Sequence, residues 1–159
     1  IMNSHHTVAI GTWEGDKQQS IEYNSSIAVG IDCPRAKLRV SILLDTIQEY
    51  QVRYIFSDEE ISEAVNEAGL IIGARGIAYE GVLQRKPVIV VGEYGFGGLV
   101  TPDTLHEQYN NYFRGKINGI KAEYFSLERL EEEIRRGFAL TFQELQMMSN
   151  QTIRFLHNI

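Results

Sequence analysis

The residues best equipped for chemistry lie between positions 70 and 102. Leu70, Ile71 and Ile72 form an apolar strand that runs into the glycine-broken turn Gly73-Ala74-Arg75-Gly76, and Glu80 follows four residues later. Small residues after a buried strand let the backbone N–H groups of the next helix start approach an anion closely. The amides of Gly76, Ile77 and Ala78 are therefore candidate phosphate donors, with the aligned peptide dipoles adding about 0.3–2 kcal/mol. Arg75 carries a planar fork that can grip a diphosphate. Glu80, one turn into the helix, can accept hydrogen bonds from the vicinal hydroxyls of a ribose. A nucleotide bearing a sugar fits this set.

Each feature also has a plainer explanation. The turn glycines can serve close packing alone, Arg75 can be a solvated surface side chain, and a glutamate near a helix start is favoured by the dipole alone. A second glycine-rich stretch, Gly92-Glu93-Tyr94-Gly95-Phe96-Gly97-Gly98, follows the next apolar strand. Open α/β sheets bind ligands beyond the carboxyl ends of their strands. Gly95, Gly97 and Gly98 are expected to wrap a sugar or diphosphate, with Tyr94 or Phe96 packing on a ring. A mobile connection is the alternative there.

The elements that must position these groups read as alternating strands and helices. Strands are expected at 7–10, 27–31, 52–56, 70–72 and 87–91. Helices are expected at 35–50, from a capping box of Ser57 and Glu60 to 68, over 78–85, from 103 to about 113, from Ser126, and over 138–159. Residues 11–26 read as a loop with a short helix or as the far arm of a hairpin. Near-continuous aliphatic strands separated by helices predict a Rossmann-like, doubly wound parallel sheet with C-terminal helices, an α/β fold.

The chain has 159 residues, enough for one compact domain or one lobe of a larger enzyme. Hydrophobic residues make up 43% and charged residues 23%, which excludes a disordered chain. A formal charge of −6 argues against general nucleic-acid binding, which needs a basic stripe. No apolar run reaches the roughly 18–20 residues needed to cross a bilayer, and no signal peptide is visible, so a cytoplasmic location is expected. The single Cys33, beside Pro34, excludes an internal disulfide and reads as a small filler rather than a nucleophile. His5 and His6, the one histidine pair, read as a surface or tag remnant, and no metal is expected. The opening at Ile1 is read as that of a fragment.

The run Gly-Ala-Arg-Gly-Ile-Ala-Tyr-Glu-Gly-Val-Leu-Gln-Arg-Lys-Pro-Val-Ile-Val-Val, residues 73–91, resembles the donor-binding segment of GT-B glycosyltransferases. The following Gly-Phe-Gly-Gly-Leu-Val-Thr-Pro is similar to a loop of some bacterial members. The resemblance implies that Glu80 binds the ribose hydroxyls and that the amides of Gly76 and Ile77 meet the diphosphate. Residues 11–17 weakly resemble the family's motif after its first strand, with Lys17 at the phosphate-binding lysine and Thr12 where an arginine is usual. Ile72 stands where the first of the family's paired glutamates falls. The implied protein is the C-terminal lobe of a polysaccharide-building enzyme. It would take a nucleotide-sugar donor and face an N-terminal acceptor-binding lobe, with any peripheral membrane contact made through that lobe. A nucleotide-sugar 2-epimerase lobe and a non-catalytic Rossmann-like interaction module are the rival readings.

Overall fold

In the computed structural model, residues 5–13, 17–116, 119–121 and 123–157 are described. Strands β1 (His5–Trp13) and β2 (Lys17–Asn24) form an antiparallel hairpin, with an irregularity between Ala9 and Thr12. The stretch read as a strand over 7–10 thus runs on to Trp13, and the hairpin alternative holds for the residues after it. This hairpin is a two-stranded sheet of its own and does not join the parallel layer.

The main sheet has five strands: β3 (Ser26–Gly30), β4 (Gln51–Tyr54), β5 (Leu70–Gly73), β6 (Val88–Gly92) and β7 (Gly95–Leu99), in the spatial order β4-β3-β5-β6-β7. β3 pairs in parallel with both β4 and β5, β5 pairs in parallel with β6, and β7 returns antiparallel to β6. Every residue of β5 and β6 is buried, as expected of central strands made of continuous aliphatics.

Helices cover both faces because alternate strand residues point opposite ways. Ile27, Val29, Leu70, Ile72, Ile89 and Val91 share one core with α1 (Pro34–Thr46) and α5 (Leu127–Phe138). Ala28, Ile71, Val88 and Val90 share the other with α2 (Ile61–Glu67), α3 (Gly76–Leu83), α4 (Leu105–Asn110) and α6 (Phe142–His157). This mostly parallel α/β layer is compatible with a Rossmann-like fold.

The helix ends depart from the expected bounds for identifiable reasons. Ser57 does not cap a backbone amide; its hydroxyl donates to the Glu60 carboxylate at 3.1 Å, a 3-10 turn spans Asp58–Glu60, and α2 starts only at Ile61. α4 starts after Thr104, whose hydroxyl accepts from the Thr101 amide at 2.8 Å. Ser126 does cap α5, accepting from the Arg129 amide at 3.0 Å. The last helix begins at Phe142 rather than 138, because Thr141 and Glu144 form a reciprocal capping box with bonds of 2.9 and 3.1 Å.

The glycine-rich stretch expected to wrap a ligand is instead β7, the edge strand. Gln108, buried on α4, donates to the carbonyls of Gly97 and Gly98 at 3.2 and 3.3 Å. Glu133, buried on α5, accepts from the Leu99 amide at 2.7 Å, while Arg129 and Arg136 neutralise its second oxygen at 3.1 and 3.2 Å. A Cβ on Gly97 would lie 2.8 Å from the Gln108 amide oxygen, and Gly98 holds φ at +80° facing Glu133. These glycines admit side chains that complete the strand's hydrogen bonding in place of another strand.

Two stability outcomes follow. Gly81→Ala places a Cβ 2.6 Å from Val88 Cγ2 and 3.1 Å from Ile71 Cγ1, and overpacking of this kind costs about 1–3 kcal/mol. A lower urea midpoint at unchanged slope is the expected reading. Glu133→Ala strands the Leu99 amide in the core and is expected to cost about 1–3 kcal/mol in the same measurement.

Candidate functional site

The chain leaves β3 toward β4 on one side and crosses back to β5 on the other. The crevice beyond the carboxyl ends of these strands is the topological switch point. A cleft of about 260 Å³ opens there. Gly30 and Asp32 line it from the end of β3, Ile55 to Asp58 from the end of β4, and Ala74 to Ile77 from the turn between β5 and α3, with Ile61 at the side.

The turn glycines divide into two kinds. A Cβ on Gly73 would lie 2.4 Å from the Gly30 carbonyl oxygen and 2.6 Å from Ile77 Cγ2, and one on Gly30 would meet Ile77 Cδ1 at 2.8 Å. Both glycines exist so that buried Ile77 can fold over the strand ends and seat α3, which is the packing explanation. For Gly76 that explanation fails. Its nearest neighbour to an added Cβ is Ile61 Cδ1 at 3.7 Å, an ordinary contact, and the residue is exposed to the cleft. No side chain caps the first turn of α3. Ile77 can offer only its amide, since its side chain is packing.

Arg75 holds an uncommon backbone conformation, φ 58° and ψ −124°, fixed by its amide donating to the Phe113 carbonyl at 3.0 Å. Such conformations cost about 1–3 kcal/mol outside glycine and concentrate at functional sites. The guanidinium pairs with Glu93 at the end of β6, with both side chains about half exposed. Glu80 lies four residues beyond Gly76, about 6 Å along the helix axis, in the second turn of α3 rather than the first. It is half-buried, accepts from the Gln84 side-chain amide at 2.7 Å, and does not line the cleft. Gln84 also donates to the Ser62 carbonyl at 3.2 Å, tying α3 to α2.

The remaining expected site residues stand elsewhere. Tyr94 is at the β6–β7 turn, where its hydroxyl accepts from Arg114 at 2.9 Å. Gly95, Gly97 and Gly98 belong to β7, and a Cβ on Gly95 would lie 2.6 Å from the Ile120 carbonyl oxygen. Lys17 opens β2 opposite Trp13, in a hairpin rather than a strand-to-helix turn. Cys33 is a free, half-buried thiol at the start of α1, packed on the core. Among the described residues no group of three His, Cys, Asp or Glu side chains is arranged around a metal position.

Sequence reasoning missed Asp32, Phe56, Ser57 and Asp58. The available signal was a polar Ser-Asp pair after a strand ending in an aromatic residue, Phe56, which is 76% exposed.

Arg75→Gly tests by its stability whether the backbone is strained, and by its pyrophosphate affinity whether the guanidinium serves binding. Removing the Cβ offsets about 1–3 kcal/mol of strain, against the extra chain entropy of glycine and a surface ion pair worth about 0–1 kcal/mol. Unchanged or slightly raised stability with weaker binding of inorganic pyrophosphate is expected. A marked fall in the urea midpoint would show that the conformation carries no strain.

The chain matches no family model, no curated protein and no solved structure, so the assignment of the cleft rests on its own geometry.

Proposed function

We propose that this chain is the donor-binding lobe of a GT-B-type glycosyltransferase and that its cleft takes the diphosphate of a nucleoside-diphosphate sugar. The observation that carries the reading is the uncapped start of α3, opening at Gly76 into the crevice at the β3/β5 switch point. The diphosphate meets the amides of Gly76, Ile77 and Ala78, and Arg75 exchanges Glu93 for a phosphate oxygen. Glu80 exchanges the Gln84 amide for the ribose hydroxyls. Lys17, Tyr94 and the β7 glycines have no part in this pose.

Catalysis by such a lobe is electrostatic: fixed amides and a guanidinium stabilise charge as it develops on the leaving diphosphate. The acceptor and any general base come from an N-terminal lobe, so the chain alone binds donor without turning it over. The cytoplasm is the location proposed for this role; no helix among the described residues is long and apolar enough to cross a membrane.

One set of observations favours a second reading, a non-catalytic Rossmann-like module. Arg75 and Glu80 already have protein partners, and Asp32 and Asp58 make the cleft acidic. Calorimetry with a panel of nucleoside diphosphates separates the two. The donor lobe gives measurable binding that Glu80→Ala weakens by about tenfold, the loss of a charge-assisted hydrogen bond. Binding of none of the panel, or an affinity indifferent to Glu80→Ala, favours the module.

A further inference from the structure

We infer that the far end of the cleft is built for a guanine base, so that the preferred ligand is a guanosine diphosphate compound; this rests on the nucleotide reading just given. β4 and β5 flank β3, so their ends are two strand spacings apart, about 10 Å. A diphosphate at Gly76, with its ribose between Glu80 and the end of β3 as in the pose above, therefore directs the base toward the end of β4. Phe56 stands there. The residue before it, Ile55, is buried, but Phe56 is 76% exposed and lines the cleft. Lys37 Nζ lies over one face of the ring, 4.3 Å from its centroid, so a base would stack on the opposite face. An exposed ring at this place is a stacking surface for a base, which every base can use.

Selectivity comes from the groups beside the ring. Asp58 follows Phe56 by two residues in the same loop, and Asp32 stands across the cleft. Neither carboxylate has a hydrogen-bond or ion-pair partner among the described residues. Ser57 already donates to Glu60. Of the described residues that line the cleft, the one cation, Arg75, is at the diphosphate end, and the Lys37 ammonium at the base end lies over the Phe56 ring. An ionised carboxylate only accepts hydrogen bonds. Guanine is the one common base whose pairing edge carries two adjacent donors, N1–H and the 2-amino group, and these match the two oxygens of Asp58. Uracil sets its single N–H between two carbonyls that would face the carboxylate. Adenine and cytosine each set an amino group beside a bare ring nitrogen.

The test is calorimetry on the full chain with GDP, IDP, UDP, ADP, CDP and inorganic pyrophosphate. GDP is expected to bind about tenfold or more tighter than UDP, and IDP, which lacks the 2-amino group, to fall between them. Asp58→Asn should bring GDP close to UDP. Phe56→Ala, at an exposed position that the fold does not need, should weaken every nucleotide and leave pyrophosphate unchanged. Equal or tighter binding of UDP, ADP or CDP overturns the guanine assignment while the nucleotide reading stands. Pyrophosphate binding with no gain from any nucleoside removes the base site. Silence from all six ligands removes the nucleotide reading, and this inference with it.

Discussion

How closely α3 can approach the strand ends determines what the rest of the molecule offers a ligand. Ile77 drops between the ends of β3 and β5 only because Gly30 and Gly73 have no side chains there, and Gly81 lets the next turn lie against Val88 and Ile71. Three backbone positions thus set the height and direction of the helix. Its first turn is held at the crevice where the sheet changes direction, and Gly76 opens toward solvent as a result. Packing and site are the same arrangement viewed from two sides of one helix.

Strain is tolerated where that arrangement is over-determined. Arg75 joins a buried strand to a seated helix, and its amide is held by Phe113 from a distant loop. Phe113 itself has a positive φ and is fully buried among Tyr79 and Tyr109. The turn is therefore braced from behind by an aromatic cluster, which leaves its front face to solvent. Lys86 secures the neighbouring helix in a similar way, donating to the carbonyls of Asn66 and Ala68 at 3.0 and 2.7 Å at the end of α2. Burial pulls its ammonium pKa below the usual lysine value.

Much of this was legible in the residues. β5 and β6 are unbroken aliphatics, and Ser126 is a helix cap in the form local chemistry allows. The glycine-to-glutamate turn led directly to Arg75 and Gly76. What escaped was non-local. Gly-Phe-Gly-Gly has little strand propensity of its own, and β7 forms by pairing with β6 and is braced by Gln108 and Glu133 from later helices. Phe56 and Asp58 belong to the cleft because β4 lies next to β3 on the far side from β5, an order that no local pattern states. The Gln84 contact of Glu80 was readable in principle, being one helical turn away.

The two margins of the main sheet are finished in opposite ways. At β7 the outward main-chain groups are taken up by an amide and a carboxylate from helices, which blunts that side against pairing. At β4 the sheet ends on a strand of only four residues, which offers a short row of main-chain groups. Edge-to-edge association of this layer is consequently discouraged on both flanks, by brevity on the side nearest the cleft and by side-chain occupation on the other.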